Sequence, residues 1–173
     1  MSGPTVGILL KEKLSIENIK SLYQEIKNYS IEIDKKDIES NGFDFWINDG
    51  KSLGTSYFGE GLPFGIIIEE VEFDETEENL IYQAVNYFPK QEIIIISYCN
   101  GKYEHLILAN LAIMITEKFN GIIDMGGKLP SSYSEINDGS IWEISYGKDR
   151  VYHLSDVGFL KKWVQHPNFL MIK

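Results

Sequence analysis

Apolar residues recur along the chain at two spacings, which predict where helices and strands lie. Three segments, residues 15–28, 74–88 and 104–119, carry apolar residues three and four positions apart, the spacing of one helix face. Ser15 and Asp74 stand where N-cap residues are expected. The third segment is apolar almost all round, which predicts a helix at the centre of the core. A fourth, short helix is predicted from Ser155 or Asp156 to about Val164.

Short runs of branched and aromatic residues predict strands. Four consecutive isoleucines, 93–96, are typical of a central strand covered on both faces. Asp49-Gly50 predicts a hairpin turn. The predicted strands are residues 5–10, 31–33, 43–48, 51–58, 65–73, 92–98, 122–125, 140–146, 151–154 and 169–172, with residues 59–63 as a loop.

The order of these elements predicts an α+β fold, with α/β mixing, in a single domain spanning residues 1–173. Hairpins alternate with helical crossovers, so we expect a mixed, largely antiparallel sheet with a central buried helix and two to three further helices. A chain of this length can bury a sizeable core. The single cysteine, Cys99, excludes an intrachain disulfide and a cysteine zinc cluster.

The N-terminus lacks the basic and apolar regions of a signal peptide, and no apolar run approaches about 18 residues. We therefore expect a cytoplasmic protein with no membrane association. Its oligomeric state does not follow from the sequence.

Charge is distributed unevenly. The chain has 26 acidic and 16 basic residues, a net charge of −10, and residues 52–89 hold eight acids without a lysine or arginine. Such a block repels nucleic acid and anionic membranes and attracts basic partners. The densest part, which we call the acidic block, supplies the candidate partner-binding residues Glu69, Glu70, Glu72, Asp74, Glu75, Glu77 and Glu78.

A second interpretation of the acidic block is structural. Solvated acids at a strand end, followed by acids in a first helical turn, are stabilised by the helix dipole. This interpretation accounts for Asp74, Glu75 and Glu77, but it does not explain why lysine and arginine are missing from residues 52–89.

Candidate catalytic and metal-binding groups are few. His105, His153 and His166 lie on different predicted elements, without metal-ligand spacing. Cys99 and His105 flank a tight turn and could form a nucleophile–base pair, but the sequence offers no third group to orient the imidazole. We therefore expect no metal, no cofactor and no enzymatic activity.

The C-terminal sequence SDVGFLKKWVQHPNFLMIK, together with GPTVGILL and FNGIIDMGG, resembles an uncharacterised bacterial family of small proteins of similar length. The pattern comprises Asp156, Phe159, Leu160, Trp163, His166, Pro167 and Phe169. In general design the chain also resembles immunity proteins of bacterial polymorphic toxin systems, which are small, acidic, cytoplasmic proteins. That resemblance implies an inhibitor that neutralises a basic toxin domain, such as a nuclease.

Two alternatives use the same sequence differently. A phage or host regulator, such as an anti-defence protein, could block a basic protein by the same electrostatics. A small-ligand-binding module could use a pocket lined by Trp46, Tyr57, Tyr98 and His105. A deep pocket with converging polar groups would favour the ligand-binding module, and a flat acidic face would count against it.

Overall fold

A computed structural model describes residues 3–34, 41–148 and 150–172, and its strands form one antiparallel sheet. In these residues the strand order is β2-β3-β4-β5-β1-β6-β8-β7. The strands are β1 (Thr5–Leu10), β2 (Glu32–Ile33), β3 (Gly42–Asp49), β4 (Phe58–Glu70), β5 (Gln91–Ser97), β6 (Ile122–Asp124), β7 (Ile141–Tyr146) and β8 (Arg150–Ser155). The predicted α+β class with a largely antiparallel sheet is confirmed.

Within the described residues, four α-helices accompany the sheet: α1 (Ile16–Lys27), α2 (Glu75–Val85), α3 (Lys102–Phe119) and α4 (Val157–Trp163). Three begin at the predicted caps. In each, the cap side chain accepts a hydrogen bond from a backbone N–H three residues later. The bonds are Asn18 to Ser15 Oγ at 3.2 Å, Glu77 to Asp74 Oδ1 at 2.9 Å and Phe159 to Asp156 Oδ1 at 2.8 Å. Helix α2 ends at Asn86, in the left-handed region with φ 61°, before the predicted stop at Pro89.

The main core lies on one face of the sheet, which we call the inner face. Helix α3 contacts β1, β5 and β6, and its Ile107, Leu111 and Ile115 are fully buried. Helices α1 and α4 complete this cluster. On the opposite, outer face, α2 covers only the part near β1, β7 and β8, where its Ile81 packs in a smaller cluster. The predicted central helix is confirmed.

Two predicted strands are wrong. Residues 51–57 form a 3₁₀ turn, Lys51–Leu53, and a loop, because Gly50 bonds to both Tyr57 and Thr55 and closes the chain on itself, and Phe58 is the first residue of β4. Residues 59–63, predicted as a loop, instead belong to the long strand β4. Residues 169–172 form no strand: Ile172 accepts one backbone bond from Thr5, at 3.3 Å, but the Met171 N–H is used by a side chain, His105.

The isoleucine run occupies the predicted central strand, but its predicted burial on both faces is wrong. Ile93 and Ile95 are fully buried under α3, whereas Ile94 and Ile96 are half-buried on the outer face. Helix α2 packs toward β7, so its apolar side chains do not cover this part of the sheet.

Candidate functional site

An acidic cleft lies where β4 leaves the sheet and turns toward α2. Its volume is about 480 Å³, and its lining consists of Glu69, Glu70, Glu72, Glu92, Val71 and Phe73. Glu69 on β4 is the direct register partner of Glu92 on β5, so both side chains project from the outer face. Val71 and Phe73 pack against the small cluster that includes α2. The lining of the acidic cleft therefore includes four glutamate residues, at the edge of the α2-covered region.

Glu92 is the desolvated member of the cleft. Its carboxylate lies over Gly7 of the neighbouring strand β1, where a β-carbon would overlap Glu92 Oε1. Burial, and then the negative charges of Asp124, Glu69 and Glu77, raise the pKa of Glu92 to about 7. All these influences have the same sign, so the folded chain disfavours the ionised form of Glu92.

Asp124 lies beside this carboxylate on β6, opposite Gly7 in the strand register. Burial raises its pKa to about 6, although a 2.8 Å hydrogen bond from the Gly126 N–H favours the charged form. On α2, the buried Glu77 accepts a 2.8 Å hydrogen bond from the Tyr152 hydroxyl. Burial, and then Glu77, raise the pKa of Tyr152. A group of partly desolvated acids therefore extends from the cleft under α2.

The structure divides the acidic block into two parts. Glu69, Glu70 and Glu72 are exposed and line the cleft, where Glu70 forms an ion pair with Lys13. The remaining acids belong to the start of α2: Asp74 caps it, Glu77 is buried, Glu75 is exposed and Glu78 is half-buried. The cleft thus contains three of the seven predicted residues, and the other four occupy the first turn that the helix-dipole interpretation describes.

Sequence reasoning missed Glu92 and assigned Asp124 no role. The available signal was an acid within or directly beside an apolar strand, since Glu92 precedes four isoleucines and Asp124 follows two. Such a carboxylate projects either to solvent or into a partly buried face. Only the register of neighbouring strands, with Gly7 between them, shows that these two acids are desolvated.

All three histidine rings accept hydrogen bonds from the backbone. In each ring Nδ1 accepts a backbone N–H, which leaves the proton of the neutral ring on Nε2. Burial lowers the pKa of His153 and so favours its neutral form. The donors are Met171 to His105 at 3.0 Å, Leu129 to His153 at 3.1 Å and Asn168 to His166 at 3.2 Å.

Cys99 and His105 do not form the nucleophile–base pair that the sequence permits. His105 Nε2 lies 3.0 Å from Asn100 Oδ1, so both ring nitrogens already have hydrogen-bond partners. The Cys99 residue is exposed. Across residues 3–34, 41–148 and 150–172, no three His, Cys, Asp or Glu side chains converge to hold a metal ion.

The aromatic pocket considered from the sequence does not form as one unit. Tyr98 lies over Gly65 on the outer face and donates a 2.6 Å hydrogen bond to Asp44, and Tyr57 packs against Tyr103. His105 instead lines a cavity of about 510 Å³ between the start of α3 and residues 164–170. Trp46 alternates with the buried Phe45 and Ile47, so it projects from the outer face, away from His105.

The fold and cleft define an α+β protein with one antiparallel sheet and a carboxylate-lined cleft on its outer face. The chain belongs to a family of unknown function, DUF6368, whose model matches residues 2–173. This confirms the predicted membership of an uncharacterised family. No curated protein and no solved structure matches the chain significantly. Among the described residues, no helix is both long and apolar enough to span a membrane.

Proposed function

We propose that this chain is a non-catalytic binding protein whose acidic cleft captures a basic protein, as an immunity-type inhibitor captures a toxin nuclease. The observation that carries the proposal is that Glu69, Glu70, Glu72 and Glu92 all line one cavity. Of these four, Glu92 is held over Gly7, where burial and then the acidic charges of its neighbours raise its pKa. A lysine or arginine from a partner would supply the missing positive charge.

Electrostatics supports this function at two ranges. At long range, the net charge of −10 accelerates the encounter with a basic protein, and salt screens this attraction over about 8–10 Å. At short range, a cation beside Glu92 favours the ionised carboxylate and lowers its pKa. Binding near pH 7 should therefore release a proton from the cleft.

A nuclease is the class of partner that best matches this charge pattern. Its substrate-binding surface carries lysines and arginines that contact phosphates. A row of carboxylates presents a comparable series of negative charges, so an acidic inhibitor can occupy that surface and exclude the nucleic acid. The use of all three imidazoles as acceptors of backbone N–H groups supports a non-catalytic role.

The proposal can be tested by affinity capture with three matched baits. These are the wild-type chain, the cleft variant Glu69→Lys/Glu72→Lys, and the control Glu17→Lys/Glu60→Lys. All four positions are exposed, and both variants change the net charge equally. We expect basic proteins to be retained by the wild type and the control but not by the cleft variant. Retention of the same proteins by all three baits would overturn the proposal.

Toxin immunity can be tested with the product of the neighbouring gene. Expression of that product alone should arrest growth, and co-expression of the wild-type chain or the control variant should restore it. The cleft variant should not restore growth. If the neighbouring gene product does not arrest growth, and the cleft captures a basic host protein, the regulator function would replace toxin immunity.

A further inference from the structure

The outer face of β3, β4 and β5 carries an apolar patch that lacks a covering helix among the described residues. Ile67, Ile94 and Ile96 belong to neither of the two hydrophobic clusters. Ile67 is 38% exposed, and Ile94 and Ile96 are half-buried. By contrast, their neighbours Ile66, Ile68, Ile93 and Ile95 are buried on the inner face. The isoleucines on the outer face thus form a contiguous surface instead of isolated exposed residues.

The strand register fixes the shape of this surface. Ile67 pairs with Ile94, and Gly65 pairs with Ile96, while Trp46 on β3 pairs with Pro63 on β4. Alternation of side chains places all of these residues on the same face of the sheet. Between the Trp46–Pro63 pair and the isoleucines, the Tyr98 side chain lies over Gly65 and its hydroxyl donates to Asp44. We call this set the apolar strip: Trp46, Pro63, Ile67, Ile94 and Ile96.

The apolar strip continues directly into the acidic cleft. On this face, the pair that follows Ile67 and Ile94 is Glu69 and Glu92. From Pro63 to Glu69 the strand spans six residues, or about 20 Å at 3.4 Å each. An α-helix of about 13 residues has this length. One end of the strip is therefore closed by two opposed carboxylates.

We propose that the apolar strip receives one amphipathic α-helix of a basic partner protein, with lysine or arginine at the end that meets Glu69 and Glu92. This inference rests on the proposed function for the charge of the partner and adds the shape and chemistry of the segment that binds. Helix α2 shows that this face of the sheet can pack against a helix, because its Ile81 already packs on the other half of the face.

Charge distinguishes this occupant from a second copy of the chain. Two copies that met through the strip would each carry −10 and would bring their clefts toward the same interface. Like charges directly opposite one another are destabilising, as Glu69 and Glu92 already are within one chain. A helix with lysine or arginine at one end would instead attract Glu69 and Glu92, while its apolar face buries the isoleucines.

The test uses two synthetic peptides of about 14 residues, built from the same leucines and lysines. One places leucine at i, i+3, i+4 and i+7, and the other has the scrambled order, with the same charge but no apolar face. Both are titrated against the full chain by calorimetry. We expect the amphipathic peptide to bind at least tenfold more tightly than the scrambled one.

The strip variant is Ile67→Thr/Ile94→Thr, which keeps β-branched side chains in the strands. The control is Ile16→Thr/Phe58→Thr, which removes apolar groups that are 64% and 80% exposed elsewhere. The strip variant should lose at least tenfold in affinity for the amphipathic peptide, and the control should lose none. Melting temperatures establish that both variants are folded.

The remaining outcomes overturn the inference in distinguishable ways. Equal binding of both peptides, or no binding by either, would exclude helix docking, and the capture experiment would still decide the proposed function. Dimerisation of the wild type that Ile67→Thr/Ile94→Thr abolishes would assign the strip to a second copy. Failure of the proposed function would appear separately, in the capture experiment, if all three baits retained the same basic proteins.

Discussion

The Glu92 carboxylate lies over the backbone of Gly7, in the space that the β-carbon of any other residue would occupy. Gly7 is on β1, between β5, which carries Glu92, and β6, which carries Asp124. The absent side chain allows the Glu92 carboxylate to approach the sheet, where burial and neighbouring acids raise its pKa. One glycine therefore shapes the electrostatics of the acidic cleft.

Gly7→Ala should destabilise the chain by roughly 1–3 kcal/mol, because the new methyl group overlaps the Glu92 carboxylate. Urea denaturation of the wild type, Gly7→Ala, Glu92→Ala and the double variant forms a thermodynamic cycle. In the Glu92→Ala background the cost of Gly7→Ala should be smaller, by about 0.5–3 kcal/mol. An equal cost in both backgrounds would mean that Glu92 does not occupy this space.

Glu92→Gln should stabilise the chain at pH 8 by roughly 1–3 kcal/mol relative to the wild type. The folded pKa of about 7 exceeds the ordinary value of 4.5, so ionisation of Glu92 opposes folding at high pH. This penalty disappears as pH falls through 7 toward 4.5, and the two proteins should then converge in stability. The measurement is the free energy of unfolding as a function of pH.

Glu12→Gln is the control for that pH series and should have the opposite sign. Hydrogen bonding to Lys90, and then its charge, lower the pKa of Glu12, so its ionised form favours folding. Glu12→Gln should therefore remove stability that is present at neutral pH and is lost in acid. A stabilisation by Glu92→Gln that is constant between pH 5 and pH 8 would contradict the raised pKa.

Truncation after Gln165 should unfold the chain instead of selectively removing partner binding. The segment that is lost includes the fully buried Met171, whose N–H donates to His105, and Leu170, whose carbonyl accepts from Trp163 Nε1 at 3.2 Å. Circular dichroism melting measures the effect, and deletion of Lys173 alone is the control. Normal melting combined with loss of a captured partner would show that the segment is an interface.

Glu69→Lys/Glu72→Lys should slow association with a captured basic partner more than it accelerates dissociation. The reason is that exposed charges contribute mainly long-range attraction. Stopped-flow rates between low and high salt should show a difference from the wild type that shrinks as salt rises. Glu17→Lys/Glu60→Lys controls for net charge. If both variants have equal association rates, the cleft has no special role in steering.

Local features of this chain were predictable because the groups involved are close in sequence. Ser15, Asp74 and Asp156 each accept a hydrogen bond from a backbone N–H three residues later, so short segments specify these helix starts. The all-round apolar character of α3 likewise indicated its central position. Strand 51–58 was wrongly predicted because the bonds of Gly50 to Thr55 and Tyr57 close this segment into a loop. Strand 169–172 was wrongly predicted because a strand needs a free partner edge: β5 occupies one edge of β1, β6 occupies the other from Gly7 to Leu9, and Ile172 bonds to Thr5 beyond the end of β6.

The sequence by itself determined how much negative charge the chain carries and where the acidic block lies, because both are properties of composition and order. The tertiary structure decided which acids meet. Pairing of β4 with β5 brings Glu92 opposite Glu69. At the start of α2, Asp74 caps the helix and Glu77 is buried, where it bonds to Tyr152. Within the part of the chain that the structure describes, it also left Ile94 and Ile96 without a covering helix, since α2 packs toward β7. Register and burial depend on contacts between distant segments, and those contacts exist only in the folded chain.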